Sequence, residues 1–290
     1  MTVSSNQVKF AVIGDPIAQS PSPEIHLPVL KKYLENPSYE RVLVKPEDLG
    51  AWVKRAREEG YLGFNVTMPH KMTIGAYLDE VVMEADLTGS VNTVVNRDGK
   101  LIGYSTDALG FFAAARENGI LYEDKRIVIL GAGGSASALA YRAILDGAYN
   151  VTVLARRREQ AKKLVLAVRS HNRYAALSWG GLNASELQGA MERADLIINT
   201  TPLGMQGYES DWADLSFLEH VSKHAAVCDI IHSPEQTSFL KKASELGLKT
   251  QNGMDMLIYQ ALAADHLYLN CELDYPAMAK LVRESLGETR

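Results

Sequence analysis

Apolar residues along this chain fall into short, β-branched runs that alternate with longer stretches of helical period, and turn-forming residues separate the two. In the first third, strands are expected at 10–13, 41–44, 62–66, 91–96 and 101–104, with helices near 23–35, 46–59 and 108–118. Pro46 stands where a first helical turn tolerates proline, and Gly60 and Gly119 stand where helices stop. Arg97-Asp98-Gly99-Lys100 between two strands reads as a hairpin turn, and Ser22 before Pro23 as a helix cap. Beyond Gly119 the rhythm is stricter, with strands expected at 126–130, 151–154, 175–178, 195–199 and 226–230 and helices at 134–146, 158–168 and 237–246. The last stretch, 254–286, reads as helical with a break at Asp274-Tyr275-Pro276. Strand–helix alternation of this kind predicts an α/β fold of parallel sheets covered by helices.

Composition narrows the class. At roughly 100–200 residues per domain, 290 residues predict two domains. No repeat or long linker divides them, so the boundary is expected at a short hinge near 107–110 with a return crossing near Gly253. A 47% hydrophobic content excludes disorder. Thirty Lys and Arg against 35 Asp and Glu give a charge of −5, which argues against nucleic acid as the main partner. Charges interrupt every apolar run short of the ~20 residues of a membrane span, and no basic segment followed by an apolar core opens the chain. The two cysteines, Cys228 and Cys271, form no CxxC pair, which fits a reducing cytoplasm and excludes a disulfide scaffold. No cluster has metal-ligand spacing, and His26, His70, His220, His224 and His266 read as surface or capping residues.

The sharpest chemical signal is Gly131-Ala132-Gly133-Gly134-Ser135-Ala136, which follows an apolar strand and opens an Ala-rich helix. This is the G-x-G-x-x-A form of a dinucleotide turn. The first glycine permits the tight turn, the second lets backbone approach a pyrophosphate, and the small third residue lets helix pack on strand. The helix N-terminus then offers free N–H groups and partial positive charge. An NAD site usually carries an acid at the end of the next strand. Here that position reads Ala155-Arg156-Arg157-Arg158. Cations just before a helix start oppose its dipole unless an anion joins them, and a 2′-phosphate matches the guanidinium fork, so NADP is the expected cofactor.

A second constellation lies earlier. Ser20-Pro21-Ser22-Pro23, Gly63 to Lys71, Gly89-Ser90-Val91-Asn92-Thr93 and Gly103-Tyr104-Ser105-Thr106-Asp107 each place polar groups at an expected strand end, where open sheets bind ligands. Each alone reads equally as a cap or turn. With the glycine turn, these segments resemble the shikimate dehydrogenase family. The resemblance runs in order from about Phe10 to about Asp265 through GDPIAQSPSPEIH, GFNVTMPHK, ADLTGSVNT, GYSTDALGF, ILGAGGSASA, DLIINTTPLGM, CDIIHSPEQT and NGMDMLIYQA.

That resemblance implies an α/β substrate-binding domain, residues 1–107 completed by helices in 254–290, and a Rossmann NADP-binding domain, residues 108–253, with a cleft between them. It implies reversible hydride transfer between 3-dehydroshikimate and shikimate in aromatic amino acid biosynthesis, with Lys71 and Asp107 as the catalytic acid–base pair. Ser20 and Ser22 would hold the substrate carboxylate, and Asn65, Thr67, Asn92 and Gln260 the ring hydroxyls. Gly131, Ala132, Gly133, Gly134, Ser135 and Ala136 would hold the pyrophosphate, and Arg156, helped by Arg157, the 2′-phosphate. Thr200, Ile230, Gly253 and Met256 would line the nicotinamide side.

Departures from the family pattern fall close to the chemistry. Gln19 precedes the first serine where the family has His, Ser105 stands for Asn, and His232 stands for the Tyr that reaches substrate. Ala155 and Arg157 stand for the Asn and Thr of the family's Asn-Arg-Thr motif. A quinate or aminoshikimate-type dehydrogenase, and a ligand-binding sensor without turnover, are therefore the rival readings. The expected partner is a small cyclohexene or cyclohexane carboxylate, with no nucleic acid, membrane or metal, and self-association as a homodimer is left open.

Overall fold

In the structure, a computed structural model that describes residues 7–287, the chain divides into two compact units. One is built from Met1–Thr106 and Ile258–Arg290, the other from Asp107–Leu257. In chain order the elements are β1 (Val8–Gly14), α1 (Ser22–Tyr33), β2 (Pro37–Leu43), α2 (Leu49–Glu58), β3 (Gly63–Val66), β4 (Glu80–Val81), α3 (Met83–Thr88), β5 (Thr93–Arg97), β6 (Lys100–Tyr104) and α4 (Asp107–Glu117). They continue with β7 (Arg126–Leu130), α5 (Gly134–Leu145), β8 (Asn150–Ala155), α6 (Arg158–His171), β9 (Leu177–Gly181), α7 (Ala184–Met191) and β10 (Leu196–Asn199). The last are β11 (Ala226–Asp229), α8 (Ser238–Glu245), β12 (Lys249–Gln251), α9 (Gly253–Leu269) and α10 (Tyr275–Ser285).

The first unit holds a six-stranded sheet in the order β2-β1-β3-β5-β6-β4. Strand β1 is buried on both faces. Ala11 and Ile13 pack with Trp52, Val53 and Phe64, while Phe10 and Val12 pack with Leu30, Tyr39, Val95, Ala264 and Tyr268. The period of two in β1 thus separates two cores, one under α2 and one under α1 and the C-terminal part of α9. The sheet is mixed rather than parallel: β3–β5 and β5–β6 are antiparallel. For β5 and β6 the reason is local. Asp98 and Gly99 both adopt positive φ, 52° and 87°, and a two-residue turn of that kind can only join antiparallel strands.

The second unit is a fully parallel sheet in the order β12-β11-β10-β7-β8-β9. Counted from β7 this is the 3-2-1-4-5-6 order of the doubly wound dinucleotide fold. Val128, Leu130, Leu154, Ile197 and Val227 face a core closed by Leu187, Met191, Phe217, Phe239 and Leu240. Two strands, β4 and β12, and two helices, α3 and α7, add to the elements expected from sequence. The strand expected at 175–178 runs instead over Leu177–Gly181. Among the described residues, no helix is long and apolar enough to cross a membrane.

Candidate active site

In the first unit the polar segments converge at the C-terminal ends of β1 and β3 and the start of β5. After β3 the chain makes a short 3-10 turn, His70–Met72, which carries Lys71. Two contacts hold that turn: Val91 N–H donates to the Lys71 carbonyl at 2.9 Å, and the His70 ring meets the Val44 carbonyl at 2.7 Å. Thr67, half-buried, donates its N–H to the Ile13 carbonyl. His70 is buried, as is His26, whose Nδ1 lies 2.6 Å from Asp265 Oδ1. The surface or capping roles expected for these two histidines are therefore wrong. Each buried ring is kept by a partner remote in sequence, 239 positions away for His26.

Asn65 and Asn92 anchor one continuous network. Asn65 Oδ1 accepts from the Tyr39 and Tyr268 hydroxyls at 2.6 and 2.9 Å, while its Nδ2 donates to the Asn92 carbonyl and to Thr93 Oγ1 at 3.2 and 3.1 Å. Both lone pairs and both N–H groups of its amide are thus used inside the protein. Burial raises the pKa of both tyrosines well above the usual phenol value, so both remain neutral donors. Asn92 Oδ1 accepts from the Thr106 N–H at 2.8 Å and from Thr93 Oγ1, and its Nδ2 donates to Thr106 Oγ1 and Gln260 Oε1. Ser20 Oγ donates to Ser22 Oγ at 3.0 Å, and the nearby Ser22 hydroxyl acts to lower the pKa of the buried Tyr39 phenol against the larger effect of burial. Ser22 is not the helix cap expected from sequence: α1 begins at Ser22 itself, and the cap residue is Pro21. The Ser105 hydroxyl, next to Thr106 in the chain, is buried without a hydrogen-bond partner among the described residues. Tyr39, Thr106 and Tyr268 were not among the site residues expected. A tyrosine in an edge strand and another in a C-terminal helix carry no local signal of this junction.

The second unit presents a different chemistry. Gly131 adopts a φ of 116°, and a Cβ there would lie 2.4 Å from Thr200 Oγ1, so only glycine fits. Thr200 in turn donates its hydroxyl to the Leu130 carbonyl at 2.8 Å. Gly133 caps α5 with no side-chain hydrogen bond, and a Cβ there would meet no protein atom within 4 Å. Gly133 and Gly134 are exposed, Ala132 and Ser135 are half-buried, and Ala136 is buried against the strand. Space above an uncapped helix N-terminus fits a pyrophosphate.

Gly131, Ala132, Gly133, Arg156 and Thr200 line one cavity of about 660 Å³. The three arginines at the end of β8 are not equivalent. Arg156 lines the cavity, Arg157 does not, and Arg158 Nη1 pairs with Glu186 Oε1 at 2.9 Å. No acid ends β8, so the residues present fit a 2′-phosphorylated dinucleotide. A larger groove of about 1120 Å³ is lined by Arg126, Asn150 and Asp195, at or just before the N-terminal ends of their strands. Ligands of this fold bind at the carboxyl ends, so that groove is not the candidate.

Asp107, buried, opens α4 in this unit, whereas Lys71 belongs to the other. Gly253 packs directly on the loop after β11: a Cβ would lie 2.1 Å from the Ile230 carbonyl oxygen, and the Gly253 N–H donates to Ile231 O. Met256 is buried in α9, and Ile230 is half-buried. His232 lies exposed on the same loop, with partial desolvation of its ring lowering its pKa.

Two sequence profiles match the chain. The profile described as the shikimate dehydrogenase substrate binding domain covers residues 12–94, and that described as NADP oxidoreductase, coenzyme F420-dependent, covers 126–231. The chain is 38% identical over 257 residues to a shikimate dehydrogenase (NADP(+)) of Alkaliphilus oremlandii, spanning 89% of this chain and 90% of that protein. A shikimate 5-dehydrogenase from Listeria monocytogenes, solved with shikimate and NAD, superposes with a TM-score of 0.88 at 28% identity, covering 97% of this chain and 98% of the other. A quinate dehydrogenase from Corynebacterium glutamicum, solved with NAD, gives 0.83 at 28% identity, with 96% and 99% covered.

Proposed function

Because the chain belongs to the shikimate dehydrogenase family, we propose that it interconverts 3-dehydroshikimate and shikimate with NADP(H), using Lys71 and Asp107 for proton transfer. The observation that carries this reading is the 38% identity, over nearly the full length of both chains, to an NADP-dependent shikimate dehydrogenase. A nicotinamide bound there would supply or accept the hydride. What remains is the work of this chain's side chains. When a ring ketone gains hydride it becomes an alkoxide and needs a proton, which the Lys71 ammonium gives; in oxidation the free amine takes it back, with Asp107 as partner in the transfer. Ser20 and Ser22 bind the substrate carboxylate, and Thr67, Asn92 and Gln260 its hydroxyls. Asn65, whose amide is oriented by Tyr39, Tyr268, Thr93 and the Asn92 carbonyl, joins them at the ring hydroxyls and also fixes Thr93 and the Asn92 backbone. At the other substrate, Arg156 holds the 2′-phosphate, and the free N–H groups at the start of α5 hold the pyrophosphate.

One observation favours a second reading, a quinate or aminated-ring dehydrogenase. The buried Ser105 hydroxyl, next in the chain to Thr106 of the Asn92 network, has no hydrogen-bond partner among the described residues, and a polar substituent on a ring ligand would supply one. Initial rates with shikimate, quinate and an aminated analogue, each with NADP+ and NAD+, test both readings through the absorbance of the reduced nicotinamide. Shikimate with NADP+ is expected to give the highest kcat/KM. A higher value with quinate would replace the first reading by the second, and no reduction of either cofactor would leave the sensor.

A further inference from the structure

The two loops that follow β10 and β11 meet at one buried side chain, Asp229, which is fully excluded from solvent. Asp229 Oδ1 accepts from Asn199 Nδ2 at 3.1 Å and from the Ile231 N–H at 3.0 Å, and its Oδ2 accepts from Thr237 Oγ1 at 2.7 Å. Asn199, at the end of β10, uses its own Oδ1 to accept from the N–H and hydroxyl of Thr201 at 3.0 and 2.7 Å. One carboxylate therefore ties the root of the β10 loop, the root of the β11 loop and the cap of α8. Farther out the loops are joined again, by Gln206 N–H to the Ser233 carbonyl and by Ser233 Oγ to Gln206 Oε1.

The sheet order says what these loops face. Arg156 at the end of β8 marks the phosphorylated ribose, and the glycine turn after β7 marks the pyrophosphate. A dinucleotide laid across the carboxyl ends in the order β8, β7, β10, β11 puts its second half over the loops after β10 and β11. We propose that Asp229 is a positioning residue, whose carboxylate clamps these two loops and so sets the geometry of the nicotinamide half of the cofactor site. This rests on the proposed dinucleotide function.

The clamp carries a cost that argues for such a role. Burial, with the Asp211 carboxylate adding to it, pushes Asp229 up to about 6. Beside it Cys228 stays a neutral thiol, raised by burial and by the Asp229 carboxylate. A carboxyl raised in the folded state contributes stability that is present at low pH and is lost as pH rises through about 6. The Asn199 amide and the Ile231 N–H donate to Oδ1 and the Thr237 hydroxyl donates to Oδ2, a set that the ionised carboxylate accepts in full. At neutral pH the chain keeps the form that is worse for stability and better for loop geometry.

The test compares whole and half cofactor. Binding of NADP+ and of 2′,5′-ADP, which lacks the nicotinamide, is measured by calorimetry for the unmodified protein, Asp229→Asn, Thr237→Val and Thr237→Ser. Hydrogen exchange at the Ile231 amide is followed in parallel. Asp229→Asn is expected to weaken NADP+ about tenfold while leaving 2′,5′-ADP within about twofold, and to speed exchange at Ile231. Thr237→Val is expected to do the same to a smaller extent and Thr237→Ser to restore binding, so the clamp stays testable if Asp229→Asn does not fold. Equal weakening of both ligands, or of neither, would overturn the proposal. Failure of the unmodified protein to bind either ligand would remove the cofactor reading and this inference with it.

Discussion

The two candidate sites differ in how much of their hydrogen bonding is spent inside the protein. Around Asn65 and Asn92 nearly every polar group has a protein partner, and two buried tyrosines, from an edge strand and a C-terminal helix, donate to the amide of Asn65. At the glycine turn the opposite holds: α5 has no side-chain cap, and the space above Gly133 is open. A saturated network fixes shape, so changes there act through neighbours. An open helix terminus binds with groups that have no other partner, so changes there act directly on the ligand.

The largest expected effect tests whether the saturated unit performs chemistry as well as binding. Lys71→Ala should lower kcat by about 10²–10⁴-fold with little change in substrate KM, because the proton is needed only as charge develops. Steady-state kinetics decide this, and near-normal kcat would remove Lys71 as the acid–base residue.

Next is the open site. Arg156→Ala should cost about ten- to a hundredfold in the ratio of kcat/KM for NADP+ over NAD+, the scale of one charge-assisted hydrogen bond. Arg158→Ala should change that ratio little, since its guanidinium is already paired with Glu186. Equal losses in the two variants would mean that the cationic run acts as a patch.

The glycines sharpen the same contrast. Gly131→Ala forces a positive φ and a clash with Thr200, and should destabilise the fold by about 1–3 kcal/mol. Gly133→Ala meets no protein atom, so its melting temperature should hold while NADP+ affinity falls. Thermal unfolding beside a binding titration separates the two, and a large loss of stability in Gly133→Ala would contradict the open turn.

Much of this was legible in the sequence because it is periodic or local. The parallel second sheet follows from strand–helix alternation, and the glycine turn needs only six consecutive residues. The hairpin at Asp98-Gly99 is equally local. What escaped was short or remote. Strands of two and three residues, β4 and β12, are too brief to show alternation. The burial of His26 depends on Asp265 in the last third of the chain, and the saturation of Asn65 depends on Tyr39 and Tyr268, 26 and 203 positions away in sequence. Asp229 sits in a buried strand where a lone carboxylate looks like an ordinary strand end until its three donors are seen together.

The smallest effect is expected at His232, the residue on the clamped β11 loop that departs from the family pattern. Its ring is partly desolvated, which lowers its pKa, so it is neutral at neutral pH and gains charge only as pH falls below that lowered value. Acid therefore works against the fold here: the unfolded chain takes up the proton first, and the stability this histidine contributes at neutral pH is lost as pH falls. Tyrosine at the same place adds a longer reach and a phenolic O–H with no charge to gain in that range. His232→Tyr should shift kcat/KM for shikimate by only about two- to tenfold, the worth of one neutral hydrogen bond. The shift should favour shikimate over quinate, and any dependence of KM on pH just below the ordinary histidine value should flatten. Parallel pH profiles for both substrates in both proteins decide the matter. Identical substrate ratios and identical profiles would show that His232 reaches no substrate, and that specificity resides wholly in the saturated network of the first unit.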